Sequence, residues 1–279
     1  MKIQLDEKGQ SRSVTSERSE PSGVLIAREK QTCFVDVGRN PSPQALFAAM
    51  TYLRSMPYRV TLTKAHDEKN MPLPFDSALT ASESCFAIGQ YLLHLLEKNQ
   101  AYFKTTDIRP VNRTHVAEVP LIIHHLTDLF NYTLPTSTAL SRYSEDDLAP
   151  FSFIRPSVKQ SFDEADYTIM KLPRHHHWPV DGGFVPLSVG ELCAPPYDTW
   201  INSLCHIALC TKRPIIQFAE MRLALKQKET DDDKPAIFPK PEWHEVIRII
   251  YPFAAPSEKP SNYRLLMGAV IPKTNQIIL

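Results

Sequence analysis

A chain of 279 residues with only 8 glycines has few places to bring its backbone close to a ligand, and its 24 prolines stiffen loops and stop elements. The two commonest phosphate-cradling loops need glycines at fixed offsets. Neither Gly-x-Gly-x-x-Gly nor Gly-x-x-x-x-Gly-Lys-Ser/Thr occurs. The Gly-x-Ser-x-Gly elbow of serine hydrolases is missing, as are His-Glu-x-x-His and Cys-x-x-Cys. Dinucleotide-binding, P-loop and elbow-type hydrolase chemistry are therefore not written here in their usual form. Scarce glycine and mixed element order point to an α+β protein rather than to regular βαβ winding.

Local patterns fill in that class. Residues 1–23 are polar and read as a flexible N-terminal arm, with a short strand at Ile3 to Leu5. Val24 to Ala27 and Thr32 to Val37 are apolar, β-branched runs around Arg28-Glu29-Lys30-Gln31, which predicts a hairpin. Ser42-Pro43 sets an N-cap before a proline at the first helical position. Leu46, Phe47, Met50 and Leu53 then carry a helix to about Arg54. Tyr58 to Thr63 has strand composition, and the clearest helix runs from Ser82 to Lys98. A further helix is expected over Val119 to Asn131, and a short turn over Ser137 to Tyr143.

From about Pro150 the pattern turns to strands: Tyr167 to Leu172, Trp243 to Tyr251, Tyr263 to Ile271 and the apolar end at Ile277-Ile278-Leu279. Asp198 to Cys210 fits a helix, and Ile215 to Leu225 fits either state. The expected architecture has helices mainly in the first half and an antiparallel sheet mainly in the second. Residues 24–279 form a single α+β domain, with a soft boundary near 144–156.

Lys plus Arg equals Asp plus Glu at 31 each, which argues against a dedicated phosphate-backbone binder. No apolar run approaches the ~18 residues of a membrane span. Five irregularly spaced cysteines and a polar start lead us to expect free thiols in a reducing, cytoplasmic setting, with no membrane association.

The richest chemistry lies between Lys171 and Cys193. Three of the ten histidines are adjacent at His175, His176 and His177, followed by Trp178, Asp181, Gly182 and Gly183. In extended backbone His175 and His177 share a face and can offer two imidazoles to zinc or iron, while His176 points away. Asp181, His206 or a distant carboxylate would supply the third ligand. The same loop reads as a binding surface: Lys171, Arg174 and His176 for phosphates, with Trp178 stacking on a base. A third reading makes Cys193 a nucleophile ahead of a helix, with a histidine as base and Asp181 or Asp198 orienting it.

Other groupings have plainer explanations. Cys205 and Cys210 stand five residues apart, about 140° around a helix, and core packing accounts for them and for His206. His124 and Asp128 can pair on one helix face. The runs Glu145-Asp146-Asp147 and Asp231-Asp232-Asp233 read as solvated loops. The expectation is an intracellular, non-catalytic subunit or binding protein of a larger nucleoprotein assembly, with protein partners, single-stranded nucleic acid as a further partner and no cofactor. Its alternative is a metal- or thiol-dependent hydrolase centred on the 174–193 loop.

Overall fold

In the computed structural model, described residues are 1–15, 18–57, 59–63, 78–98, 100–111, 151–156, 167–171, 187–192, 196–224, 240–253, 264–274 and 276–278. Among them the chain is α+β, with two sheets and three helices of more than two turns.

Sheet A is built from the first part of the chain. Strands β1 (Lys2–Leu5), β2 (Ser11–Ser13), β3 (Val24–Glu29), β4 (Thr32–Val37), β5 (Arg59–Thr63) and β6 (Ala78–Leu79) lie in the order β2-β1-β3-β4-β5-β6. The polar opening segment, whose composition suggests an arm, supplies two of these strands. Ile3 pairs with Ile26 of β3 on one side and Ser13 on the other, and Leu5 is buried. Gly9 makes the turn between them at φ 77, a conformation open to glycine at little cost. The β3–β4 hairpin closes through Lys30 and Gln31, with Lys30 at φ 50. Only the β4–β5 pairing is parallel among the described pairs, and helix α1 (Pro43–Leu53) lies in that crossover.

Helix α1 starts as its sequence dictates. Ser42 Oγ accepts from the Ala45 amide at 3.0 Å, and Pro43 sits where no amide donor is needed. Helix α2 (Ala81–Glu97) opens on a capping box, in which Thr80 and Glu83 satisfy each other's backbone amides. Helix α3 (Tyr197–Thr211) follows a single helical turn at Val189–Leu192.

Sheet B is antiparallel. It joins β7 (Phe103–Pro110) to β8 (Ser152–Pro156), β9 (Tyr167–Lys171), β10 (Leu187–Ser188), β11 (Ile215–Leu223), β12 (Glu242–Phe253), β13 (Arg264–Ile271) and β14 (Gln276–Ile278). The order is β10-β9-β8-β13-β12-β11-β7, and β14 shares one edge of β13 with β8. Ile215 to Leu223, ambiguous in sequence, is strand because β7 and β12 hydrogen-bond it on both sides. The helices are not confined to the first half, since α3 lies at 197–211, and the first part also carries a mixed sheet. The helices expected at 119–131 and 137–143 lie outside the described residues.

The helices form the layer between the sheets. Helix α1 meets β1 and β3, α2 meets β5 on one side and β7 on the other, and α3 meets β12. From Trp200 to Thr211 every residue of α3 is buried, polar ones included. Apolar residues accordingly fall on every side of it, with Asn202, Ser203, His206 and Thr211 buried among them, and it packs on both α1 and α2. Elements from either side of residues 144–156 interleave: β7 is an edge of sheet B, and α3 fills the groove of α1 and α2.

Candidate functional site

The loop that carries the richest chemistry in the sequence falls almost wholly outside the described residues. Arg174, His175, His176, His177, Trp178, Asp181 and Cys193 lie there, as do His124 and Asp128. Lys171 ends β9, its backbone paired with Phe153. Among the described residues, no group of three His, Cys, Asp or Glu side chains is arranged to hold a metal ion.

Three other arrangements stand out, none of them written as a motif. The first is a buried polar cluster around His206. Nε2 of His206 lies 3.1 Å from the Phe47 carbonyl and 3.0 Å from Thr51 Oγ1, and Nδ1 lies 2.8 Å from Tyr167 Oη. A carbonyl can only accept, so we assign the proton to Nε2 and make Nδ1 the acceptor of the Tyr167 hydroxyl. Burial first, then Cys210 and Cys205, push the Tyr167 phenol well above its usual value, so it stays a donor. His206 thereby ties α3 to α1 and β9.

One turn on, Cys210 meets Cys85 of α2. The Cys85 thiol also points at the Met50 carbonyl, 3.4 Å away. Its hydrogen bond with Cys210, then burial, hold Cys85 well above the ordinary thiol range. Cys210 is drawn the other way: burial opposes ionisation, but hydrogen bonds from Cys85 and the His206 ring, with the charge of Arg54 nearby, outweigh it. Cys205 has no such help, and burial pushes it to about 12. Helical spacing sets Cys205 and Cys210 poorly for convergence, and the fold instead pairs Cys210 with a cysteine from another helix.

The second arrangement is a cleft of about 380 Å³ at the junction of all three helices. Arg54 at the end of α1, Arg59 at the start of β5 and Lys212 at the end of α3 line it, with Thr80, Ser82 and Cys210 among the other lining residues. Among the described residues that line it there is no carboxylate. Lys212 occupies the left-handed cap position at φ 54, where glycine is the usual occupant. A smaller neighbouring cleft, across Ser82 and Thr211, carries Glu83 and Arg213 together and is charge-balanced.

The third is an exposed row at the far end of sheet B. Arg222 is the cross-strand partner of Trp243, and its amide donates to the Tyr102 carbonyl at 2.8 Å. Because Met221 pairs with Phe103, Tyr102 continues the register beside Arg222. Tyr102, Arg222 and Trp243 therefore stand side by side on one face. Tyr102 is 59% exposed and Trp243 52%, large values for aromatic side chains. The next row on that face is Lys104, Glu220 and Glu245.

Behind this end, a polar chain crosses the interface of helices and sheet. Arg248 donates to Gln217 at 2.7 Å and to the Tyr197 hydroxyl at 2.9 Å, and Gln217 donates to Thr105 at 2.8 Å. Thr105 and the Trp200 indole both donate to Glu97. The Trp200 ring is stacked on Phe103 at 4.6 Å and lies 5.0 Å from the Arg248 guanidinium. A buried cation and a half-buried carboxylate are thus linked through neutral side chains, which fixes α2, α3 and sheet B in register.

No protein-family model, no curated protein and no solved structure matches this chain.

Proposed function

We propose that this protein is a non-catalytic binding subunit that docks another protein through the Tyr102–Arg222–Trp243 row. The observation that supports this is the exposure of two large aromatics, 59% and 52%, on either side of an arginine. Tyr, Trp and Arg are the residue types that dominate protein–protein binding energy, because each buries much area at low conformational cost. Single-stranded nucleic acid is the weaker occupant. Glu220 and Glu245 in the adjoining row are matched by Lys104 and by Lys273, which lies 3.9 Å from Glu245, so that row offers a phosphate backbone no surplus positive charge. A reducing compartment suits the same reading, because Cys85 and Cys210 stand within hydrogen-bond reach as free thiols.

The test compares wild type with Tyr102→Ala/Trp243→Ala by quantitative co-purification from the source cell. Both side chains are solvent-facing, so the thermal transition should be unchanged. A partner recovered in stoichiometric amount with wild type should be lost from the variant, with ~2 kcal/mol or more of binding energy removed. Equal recovery with both proteins rejects the reading. Saturable binding of a labelled single-stranded oligonucleotide at physiological salt, abolished by the same variant, would move the assignment to nucleic acid.

A further inference from the structure

The geometry of the cationic cleft points to a second function, independent of the docking row: we infer that it binds a phosphate-bearing small molecule, with Arg54, Arg59 and Lys212 on the phosphate.

Three separate elements bring these cations to one concavity, α1 with Arg54, β5 with Arg59 and α3 with Lys212. Like charges gathered in a cleft repel one another, and among the described residues no ion pair reaches any of the three. The hydroxyls nearby are already committed to the fold. Thr80 donates to Glu83, Ser82 to the Thr211 carbonyl at 2.9 Å, and Thr211 to the Ile207 carbonyl at 2.8 Å. What the cleft has left to offer a ligand is cationic donors, and their complement is an oxyanion.

Two guanidinium groups favour phosphate, whose oxygens accept bidentate pairs, and Lys212 adds a point charge. Arg54 is half-buried, and its charge reaches Cys85, Cys210 and Tyr167, while that of Lys212 also reaches Cys85. The volume of about 380 Å³ suits a sugar phosphate and is too small for a polymer. The neighbouring cleft has no such character, because Glu83 already faces Arg213 there. The docking row is remote: Arg222 lies roughly 23 Å along β11 from Ile215, which begins three residues after Lys212.

Isothermal titration calorimetry of the full chain with ribose 5-phosphate, inorganic phosphate and ribose tests the inference. We expect saturable binding of ribose 5-phosphate, weaker binding of inorganic phosphate, and no heat from ribose. Arg54→Gln/Arg59→Gln should raise Kd at least about tenfold, as expected for losing two charge-assisted contacts. Added sodium chloride should weaken wild-type binding. Lys212→Gln changes an exposed side chain and should weaken binding severalfold; it decides the matter if the double variant fails to fold. No saturation by either phosphate probe below about 10 mM, or an unchanged Kd in the folded variants, overturns the inference. Neither outcome bears on the docking row.

Discussion

Gly89 of α2 faces Ile207 of α3 so closely that a Cβ added to the glycine would lie 2.3 Å from Ile207 Cγ1 and 2.7 Å from Cδ1. One of only eight glycines is thus spent inside a helix, where it costs about 1 kcal/mol relative to alanine. The return is the close approach that lets α3 sink into the helical layer.

Gly89→Ala should therefore destabilise the protein by about 1–3 kcal/mol, despite the gain in helix propensity. Adding Ile207→Ala should relieve the clash. In a double-mutant cycle read by urea denaturation, the pair should be more stable than the sum of the singles by about 1 kcal/mol or more. Additive effects would mean that the two residues do not touch.

Tyr167→Phe should cost about 1–3 kcal/mol, because it strips the buried Nδ1 of His206 of its donor. Nitrogen NMR of the wild-type imidazole should find the proton on Nε2. A proton on Nδ1 with Nε2 bare would contradict the contact with the Phe47 carbonyl.

Stability should fall at alkaline pH. Cys33 and Cys205 are raised from 9.0 to about 11 and about 12 by burial, so the unfolded chain ionises first and binds fewer protons than the folded one. Their contribution is whole below about pH 9 and is lost as pH rises through 11 to 12. Cys205→Ala should flatten this alkaline limb of a plot of thermal midpoint against pH. An unaltered limb would locate the ionising group elsewhere.

Thr80→Ala removes the α2 cap and should cost ~1 kcal/mol by denaturant unfolding at neutral pH. Thr80's amide, then its hydroxyl, hold the Glu83 carboxyl below its usual value. This support is therefore present above the ordinary glutamate range and fades as pH falls through the lowered value. Because Glu83 is almost fully exposed, the fading should be slight. The cost of Thr80→Ala should shrink in acid, and a cost that grows there would reverse the sign.

Local signals carried much of the fold into the sequence. Ser42-Pro43 names the start of α1, and the apolar runs flanking Lys30-Gln31 name a hairpin, because caps and turns are made by neighbours in the chain. β7 was not legible: in Phe-Lys-Thr-Thr-Asp-Ile-Arg-Pro only Phe103 and Ile108 are buried, since it is an edge strand whose pairing with β11 skips a residue at Phe218 and Ala219. An edge position also tolerates its terminal Pro110. The cationic cleft and the aromatic row were illegible for a different reason. Arg54, Arg59 and Lys212 belong to separate elements, and Tyr102 meets Trp243 only through β11, so no spacing along the chain announces either. The Cys85–Cys210 pair is likewise made by the packing of α2 on α3.

The burial of α3 on every side also decides what kind of pieces this chain can be cut into. Severed near residues 144–156, the N-terminal fragment would keep α1, α2 and β7 but lose the helix that fills their groove. The C-terminal fragment would hold that helix without the α1 and α2 surfaces it packs on, and β11 without its outer neighbour. Among the described residues, neither fragment would own a closed core. The two stretches pack as complements of one another, which makes the helix the seam along which fragment complementation would occur.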